Sequence, residues 1–422
     1  MKKIFSVAAV AILCQTVGVT SSLAGAIDNL HNYSAEYIRT LNRNAATDSA
    51  DIVAYNPAGV MAMDDGSYVN LSLQYLDKDY ENILTGLPNG QDGTLTQDEP
   101  SIIPGFFALH KKEKWAAFAA VTVPAGGGKV DFEEGSATLQ LLNLSIFGGL
   151  PLTAQQSEGE EVYVGVTLGG AYQLNDDLSV SAGLRHIKAD RSAKASFTNA
   201  GGADVAVDYE SEADGWGGIF GVNYKASDKL NLAARYETRT KLDFEHTVTA
   251  DTALGAPPTP TLLQVIGVTD GMEERRDLPA ILGLGLSHQC TPALKVDVNL
   301  TYYFNEDANW AGAEDDVNDG YEFGIALEYA VNDRLRVSGG YMYTETGIDV
   351  EHTVAESPKL DVNTFGGGFA YALKDNLELN VGLGVSLYDD DSYQPAPTTI
   401  PGLTVGYEKE VIFYSTGLQY SF

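Results

Sequence analysis

The strongest constraint on the fold is a strict alternation of apolar and polar residues between Tyr321 and Tyr343. Apolar side chains take every second position of two runs, which are separated by a short polar stretch that contains Asn332 and Asp333. Period two places the apolar residues on one face of an extended strand and the polar residues on the other. Asn-Asp between two such runs favours the tight turn of a hairpin. An apolar face backed by carboxylates and arginines is typical of a strand between lipid and an aqueous lumen.

The same hairpin pattern recurs along the chain. A tyrosine lies four positions before an aspartate of the turn, and a leucine begins the strand that follows. Aromatic residues at one depth beside short turns are typical of the interfacial girdle of a membrane barrel. The tyrosines are Tyr172, Tyr224, Tyr329 and Tyr371, and the leucines are Leu178, Leu230, Leu335 and Leu377.

These patterns predict an all-β fold, a transmembrane antiparallel β-barrel of about fourteen strands formed by residues 67–422. An even number of strands places the start of the first strand and the end of the last strand on the same side of the membrane. This is the side of the short turns, which is the periplasm. The strands are expected at 67–77, 101–110, 115–124, 161–173, 178–191, 213–225, 229–246, 276–289, 294–306, 319–331, 335–351, 359–373, 377–389 and 407–422.

Residues 1–26 have the features of a secretory signal peptide. Lys2 and Lys3 precede an apolar run from Ile4 to Val19, and Ala24-Gly25-Ala26 is a small-residue cleavage site. No later apolar run is long enough for a membrane helix. Cleavage leaves Cys290 as the only cysteine, so the mature chain has no internal disulfide. We therefore expect a multi-pass protein in the outer membrane of a Gram-negative bacterium after removal of the signal peptide.

The charge balance limits the possible partners. With 26 Lys and Arg against 58 Asp and Glu, the net charge of −32 argues against nucleic acid. Many carboxylates fall in predicted loops, such as Glu314-Asp315-Asp316 and Asp389-Asp390-Asp391. Solvated loop tips are the simpler interpretation, and contacts to lipopolysaccharide through divalent cations are the alternative. We expect a monomer surrounded by outer-membrane lipid.

No pattern in the sequence indicates catalysis. The six histidines lack metal-ligand spacing, and no nucleotide-binding loop of the Gly-Lys-Ser type is present. We therefore expect no metal, no cofactor and no enzymatic activity. A lipase or protease remains an alternative because His186 lies near Ser181 on one predicted strand, although a lumen position for His186 is the simpler interpretation.

Residues 27–66 do not have a strand pattern. Apolar residues between Tyr33 and Ala46 have roughly helical spacing. The sequence Asn56-Pro57-Ala58-Gly59 follows, in which proline fixes its own φ and biases Asn56 towards an extended conformation. A segment of this kind before the first strand is either a periplasmic tail or a plug inside the pore.

The last strand ends in an aromatic residue. Leu418, Tyr420 and Phe422 share one face, and Phe422 is the final residue. This spacing resembles the assembly signal of bacterial outer-membrane barrels, which implies the barrel-assembly machinery as a partner.

The segment that contains Asn56, Pro57 and Ala58, together with the preceding residues 43–51, resembles the amino-terminal hatch of the long-chain fatty acid transporter (FadL-like) family. That family also includes channels for aromatic hydrocarbons. The resemblance covers the signal peptide, the hatch, the strand count and the terminal Phe422. It implies a fourteen-stranded barrel plugged by a hatch at 27–66 that carries the Asn-Pro-Ala motif.

Two predicted outer loops are unusually apolar, and solvent-facing loops seldom expose such patches unless they bind something or pack together. A groove between packed loops satisfies both interpretations. The expected binding residues are Leu139, Leu142, Ile146 and Phe147 of the second loop, and Leu262, Leu263, Val265 and Ile266 of the fourth.

The third strand ends in Pro124, Gly126 and Gly127, which weaken strand pairing. Either the barrel wall opens sideways here, or Pro124 simply ends the third strand. The resemblance implies a lateral exit beside a kinked third strand.

The expected function is passive uptake of hydrophobic small molecules, with long-chain fatty acids as the expected cargo. Burial of each methylene contributes about 0.8 kcal/mol, so a long tail disfavours a water-filled pore. The expected steps are capture by the loops, transfer to a lumen pocket, rearrangement of the hatch and lateral release. The alternatives are an aromatic hydrocarbon channel of the same family, a general porin for polar solutes, and a structural or adhesive role.

Overall fold

The computed structural model describes residues 32–256, 258–396 and 398–422. The expected signal peptide, residues 1–26, lies outside these residues. No helix within them is long and apolar enough to cross a membrane.

The described residues form one closed antiparallel β-barrel of fourteen strands. Each strand pairs with its neighbours in sequence, and the last strand pairs with the first from Tyr68–Ser421 to Thr85–Thr404. The predicted fold class is therefore confirmed. The strands are β1 Gly66–Thr85, β2 Ser101–Lys112, β3 Trp115–Phe132, β4 Leu152–Gln173, β5 Leu178–Asn199, β6 Asp204–Ser227, β7 Leu230–Glu237, β8 Ala280–Gln289, β9 Leu294–Phe304, β10 Gly320–Asn332, β11 Leu335–Glu345, β12 Val362–Lys374, β13 Leu377–Tyr388 and β14 Thr404–Ser421.

Short elements lie between these strands. Four strand segments extend the wall, at Gly93–Gln97, Asp243–Asp251, Glu273–Arg275 and Asp391–Tyr393. The α-helices are α1 Ala35–Ile38, α2 Ala137–Phe147 and α3 Leu262–Val265, and 3-10 helices span Ala50–Ala54, Pro57–Ala62, Ala313–Asp316 and Val350–His352.

The alternation along β10 separates the outer face from the lumen as expected. Leu327 is 52% exposed on the outer face, whereas Ala326 and Glu328 are buried inside. The tyrosines beside the short turns, such as Tyr172 and Tyr329, also project outward. Apolar side chains on the outer face match the lipid-facing band of a membrane barrel.

Several strands are longer than the sequence predicts. The loop expected at 125–160 is shortened because β3 reaches Phe132 and β4 begins at Leu152. Strands β5 and β6 extend in the same way, with polar residues on the outer face and buried residues such as Phe197 and Val205 on the inner face. Because the outer face of these extensions is polar, the lipid-facing apolar residues that mark a strand in the sequence are missing there. The strand expected at 229–246 is in fact broken between Glu237 and Asp243.

Residues 32–65 lie inside the barrel and form a hatch. Their helical part is shorter than the spacing from Tyr33 to Ala46 suggests, because only Ala35–Ile38 is α-helical. Ser34 begins this helix, and its Oγ accepts a hydrogen bond from the Tyr37 amide at 3.1 Å. Leu41 then has a positive φ of 54°, which is incompatible with a continuing helix. Contacts with the wall, rather than helix periodicity, determine the path of the hatch.

Candidate functional site

An outer cavity of about 180 Å³ lies between the loop helices and the barrel wall. Helices α2 and α3 come from the two loops that the sequence singles out as apolar. Five of the eight expected loop residues line this cavity, together with Tyr80 of β1, residues of β3–β6 and neighbouring loops. These five residues are Leu139, Leu142, Leu262, Leu263 and Ile266.

The other three expected loop residues do not line this cavity. Ile146 and Phe147 are partly buried and pack against the apolar core. The Phe147 ring meets the ring of Phe197 edge-on, with centroids 5.6 Å apart, and Phe197 itself lines the cavity. Val265, the last residue of α3, is half-buried. Phe147 thus contacts a residue of the lining without lining the cavity itself.

Hydrogen bonds fix α2 in place above the lumen. The Ser136 and Thr138 hydroxyls donate to the Glu356 carboxylate at 2.6 and 2.8 Å. The Ala137 amide donates to Asn82 Oδ1 of β1 at 2.9 Å. A carboxylate is favourable at a helix N-terminus because the first amides have no partner within the helix. The N-terminus of α2 is therefore anchored to two parts of the barrel.

The barrel wall is interrupted beside β3. Pairing between β2 and β3 stops at Phe106–Val121, so residues 101–105 of β2 pair only with β1. On the other side of β3, the six steps from Thr122 to Gly128 face only four steps of β4, which leaves two extra residues in two bulges. Gly126 and Gly128 have positive φ values of 85° and 76°, which glycine adopts without strain. Strand β3 is therefore bent away from β2.

A smaller cavity of about 60 Å³ adjoins this interruption. Pro124, Gly126 and Gly127 line it, so the three residues expected at a lateral opening lie together beside the wall gap. The hatch also reaches this cavity through Asn32. The two cavities are contiguous because they share four lining residues, Tyr80, Gly127, Glu161 and Ser357.

Charged residues bind the hatch to the opposite wall. Arg39 pairs with Glu328 of β10, and both side chains are buried. Lys295 of β9 lies 3.2 Å from Glu328, and Arg336 of β11 pairs with Glu378 at 2.8 Å. Breaking a buried pair by removing one partner is strongly destabilising. This network holds the hatch in one position.

A second charged group lies within the hatch. Arg43 contacts Asp51 at 2.6 Å and Asp48 at 2.8 Å. Burial alone would raise the pKa of Asp48, but the cations of Arg43 and Lys295 outweigh it and hold that pKa well below its usual range. Asp48 is therefore ionised at neutral pH.

Glu36 is the exception among these carboxylates. Its Oε1 accepts hydrogen bonds from Asn70 of β1 at 2.6 Å and from Asn380 of β13 at 3.0 Å. Burial raises the pKa of Glu36 to about 7, and the nearby Asp51 carboxylate adds to this rise, whereas Arg43 opposes it. The docking of the hatch therefore includes a group that titrates near neutral pH.

The Asn-Pro-Ala motif connects the hatch to the wall. Asn56 begins the 3-10 helix, and its Oδ1 accepts from the Gly59 amide at 3.2 Å. Its Nδ2 donates to Asn223 Oδ1 of β6 at 2.8 Å. The Ala58 carbonyl accepts from Ser179 Oγ of β5 at 2.8 Å. In this structure, Pro57 and its neighbours shape and anchor the backbone of the hatch.

Sequence reasoning missed a set of inward-facing glycines in the wall. A Cβ at Gly285 would lie 2.5 Å from the hatch backbone at Asn44 and Ala45. A Cβ at Gly340 would likewise collide with the Thr40 carbonyl. Glycine in a strand interior often marks a close approach of another backbone, and that signal was available in the sequence.

Other candidate residues have clear positions. Leu418, Tyr420 and Phe422 lie on the outer face, and Phe422 exchanges two backbone hydrogen bonds of 3.0 Å with Ser67. The expectation that His186 faces the lumen is wrong. Alternation along β5 puts it on the outer face. There its ring lies 3.2 Å from the Asp214 carboxylate, and the centroids of the His186 and Trp216 rings are 4.7 Å apart. Ser181, five residues earlier, faces the lumen, so the two do not form a catalytic pair.

No group of three His, Cys, Asp or Glu residues able to hold a metal ion occurs in the part of the chain that the structure describes. The arrangement instead combines an apolar cavity, an interrupted wall and a plugged bore. Such an arrangement suits the passage of a hydrophobic solute better than the flow of water.

Comparison with known proteins decides the family. Residues 19–422 match the family described as outer membrane protein transport protein (OMPP1/FadL/TodX). The chain belongs to this family. FadL-family membership confirms the resemblance seen in the hatch and identifies the protein as an outer-membrane transport barrel for hydrophobic compounds. No curated protein matches the sequence.

Solved structures of the FadL family share the fold. A Pseudomonas aeruginosa FadL homologue has a TM-score of 0.66 at 13% identity, with 92% of this chain and 98% of that chain covered. The Pseudomonas putida toluene transporter TodX has a TM-score of 0.64 at 16% identity, with coverage of 93% and 99%. The Ralstonia pickettii toluene transporter TbuX has a TM-score of 0.64 at 15% identity, with coverage of 93% and 100%. At these identities the likeness concerns the fold alone.

Proposed function

We propose that this protein takes up long-chain fatty acids across the outer membrane by passive diffusion. The loop helices capture the cargo in the outer cavity. The cargo then moves to the smaller cavity above the hatch, the hatch rearranges at Asn32, and the cargo leaves sideways past Pro124, Gly126 and Gly127. Residues 1–26 act as the signal peptide, and Leu418, Tyr420 and Phe422 direct assembly by the barrel-assembly machinery.

The observation that carries this proposal is the contact between the two cavities beside the interrupted ladder of β3. A sixteen-carbon tail loses about 0.8 kcal/mol for each methylene that returns to water. A route through the wall lets the tail pass from an apolar cavity directly into lipid. The bore below is filled by the hatch, so a straight path to the periplasm requires a larger rearrangement.

Binding and flux measurements on the purified barrel test this proposal. We expect saturable binding of a long-chain fatty acid and transfer of that acid into liposomes that contain the protein. Mass spectrometry of the purified barrel is expected to find co-purified fatty acids. Rapid liposome swelling with sugars, together with no fatty acid binding, would support a general porin instead.

An aromatic hydrocarbon channel is the second candidate. Two of the similar structures are described as toluene transporters, and the apolar lining of the outer cavity suits an aromatic ring as well as an alkyl chain. Competition separates the candidates. If toluene displaces a bound fatty acid at equal concentration, the aromatic assignment is favoured, and failure to compete supports the fatty acid.

A further inference from the structure

The outer cavity has a polar corner among its apolar residues. Ser211 of β6 lines it, together with His246 and Glu274 of the two strand segments between β7 and β8. Strand pairing brings the three side chains together. Ser211 lies directly opposite His246, and Glu274 lies opposite Phe244, two positions from His246 on the same face. A few convergent polar groups in an apolar cavity indicate where the polar group of a ligand binds.

His246 has a ring nitrogen without a hydrogen-bond partner. Its Nδ1 lies 2.6 Å from the Ser211 hydroxyl, and its ring meets the Tyr209 ring edge-on with centroids 5.9 Å apart. Its Nε2 is buried and forms no hydrogen bond among the residues that the structure describes. Glu274 Oε2 lies 3.7 Å from Nε2, which is too far for a hydrogen bond. His246 is only 3% exposed, and a buried nitrogen without a partner is unfavourable, so a ligand atom at Nε2 would be stabilising.

This nitrogen is a hydrogen-bond donor. Burial lowers the pKa of His246 and outweighs the opposing effect of the Glu274 carboxylate. The Arg191 and Arg276 cations reinforce the shift, so the imidazole is neutral above about pH 7 and carries one proton. If the Ser211 hydroxyl donates to Nδ1, this proton is on Nε2 and faces the Glu274 carboxylate. In the opposite tautomer the Nε2 lone pair would face that carboxylate, which is unfavourable.

A hydroxyl group fits the space between His246 and Glu274. Its oxygen can accept from Nε2–H while its own proton is donated to the Glu274 carboxylate. Glu274 also accepts from Arg276 at 2.7 Å, but the two oxygens of a carboxylate offer about four acceptor positions. An ether oxygen can only accept, and Glu274 would repel a ligand carboxylate. The corner therefore favours an uncharged hydroxyl group over an ether or an anion.

The same residue types occur in hydrolytic triads, but their contacts are reversed here. In a Ser-His-Asp triad the serine contacts Nε2 of the histidine, and the carboxylate contacts Nδ1. Ser211 instead contacts Nδ1 of His246, and Glu274 lies on the side of Nε2 at more than hydrogen-bond distance. The arrangement therefore indicates binding rather than acyl transfer.

We propose that His246, with Ser211 and Glu274, forms a binding site for an uncharged hydroxyl group on an alkyl chain in the outer cavity. This inference rests on the proposed function for the role of the outer cavity and adds hydroxylated chains to its substrates. The chain lies against apolar residues of the lining, such as Leu262 and Leu263. His246 and Glu274 contact the hydroxyl group, and Ser211 is a positioning residue that fixes the tautomer of His246.

The test compares 1-decanol with its isomer nonyl methyl ether and with decanoate. Equilibrium binding is measured with the full mature protein in lipid nanodiscs at pH 8, with empty nanodiscs subtracted. We expect the wild-type protein to bind 1-decanol about tenfold more tightly than the ether. In His246→Phe, which keeps a ring but removes both nitrogens, this preference is expected to disappear. His110→Phe is the matched control, since His110 contacts Ser67 at 2.9 Å but is exposed and lies outside both cavities.

A second substitution tests the positioning role of Ser211. In Ser211→Ala no hydroxyl fixes the tautomer, so the preference for the alcohol is expected to fall about threefold while binding of the ether is unchanged. Ser211→Thr, which keeps the hydroxyl, is expected to restore the preference. If Ser211→Ala weakens the alcohol and the ether equally, Ser211 only supports packing.

The alcohol-to-ether ratio and the binding of decanoate decide separate claims. Equal binding of the alcohol and the ether by the wild-type protein, or an unchanged preference in His246→Phe, overturns the hydroxyl site. That result leaves the proposed function standing if decanoate binds. Absence of decanoate binding to the wild-type protein overturns the proposed function, even where the preference for the alcohol depends on His246. If His246→Phe does not fold, His246→Leu and the wild-type ratio decide the question.

Discussion

Two parts of the same barrel wall are built in opposite ways. Between β5 and β6 the ladder runs without a register shift from Leu178–Tyr224 to Thr198–Asp204. Between β2 and β3 it ends at Phe106–Val121, and β3 then carries two bulges against β4. Unpaired backbone groups in a membrane cost several kcal/mol each. An interruption of this kind therefore needs other partners for its backbone.

The partners come from polar side chains of β1 and β2. Ser101 Oγ donates to the Gly127 carbonyl at 2.8 Å, and Lys78 donates to the carbonyls of Gly127 and Lys129. The gap is thus a stabilised feature of the wall. Both ladders contribute to the outer cavity, but only the interrupted one leaves an opening in the wall, at Pro124, Gly126 and Gly127 beside the smaller cavity.

The largest expected effect comes from converting the interrupted ladder into a continuous one. Deletion of Gly126 and Gly127 shortens the bulged segment between Thr122 and Gly128 by two residues, so that its length matches the four facing steps of β4. We expect fatty acid uptake into liposomes to fall at least tenfold, since the lateral path is closed, while binding in the outer cavity persists. Unchanged uptake in a deletion variant that folds would contradict lateral release.

A matched pair of single substitutions provides the control. Gly126 has a positive φ, and a Cβ there would lie 2.7 Å from the Glu161 carbonyl carbon, so Gly126→Ala distorts the bulge. Gly127 has open space around it, and Gly127→Ala is expected to behave as the wild-type protein. Equal transport by both variants would show that the shape of the bulge has no role.

The second largest effect is expected from breaking the ion pair between Arg39 of the hatch and Glu328 of the wall. Arg39→Ala leaves Glu328 buried without its hatch partner, at a cost of about 3–5 kcal/mol. We expect the hatch to loosen, which raises ion conductance across planar bilayers and lowers the unfolding temperature. Arg334→Ala, at an exposed turn, is the control. If the Arg39 variant retains wild-type conductance and stability, the ion pair does not hold the hatch.

A smaller effect is expected where the wall and the hatch backbone touch. Gly340→Ala forces a methyl group against the Thr40 carbonyl, and overpacking of this kind costs about 1–3 kcal/mol. Gly339 is the adjacent residue on the opposite face, where a Cβ would meet only an ordinary contact at 3.7 Å. Thermal unfolding monitored by circular dichroism should show a lower midpoint for Gly340→Ala alone. Equal midpoints would mean that the hatch does not pack tightly here.

The smallest effect is a pH dependence. Glu36 has a pKa of about 7 in the folded protein against about 4.5 for an unperturbed glutamate. The folded state therefore holds this proton more tightly, so its contribution to stability is complete below pH 4.5 and is lost as the pH rises through 7. Unfolding free energies measured from pH 4 to 8 should decline less in Glu36→Gln, which cannot ionise, than in the wild-type protein. An identical decline in both would remove Glu36 from the docking of the hatch.

The sequence predicts the wall better than it predicts the site. Alternation in β10 and the tyrosines beside the short turns depend on local rules, since lipid and water lie on opposite faces of every strand. Residues such as Lys78 and Lys409 look like ordinary strand lysines in the sequence. Their meeting at one cavity depends on the pairing of β1 with β14, across more than three hundred residues of chain. Local sequence patterns do not predict which residues of distant strands lie close together.

The central claim is that cargo leaves through the interrupted wall, and mapping the path of a photoreactive fatty acid tests it most directly. The labelled acid is bound to the mature protein in liposomes, activated by light, and its adducts are located by mass spectrometry. We predict adducts on the outer-cavity leucines and on β2 and β3 around Ile103 and Pro124. Adducts that follow the hatch from the outer cavity to the periplasmic turns, with none at β2 or β3, would contradict the claim.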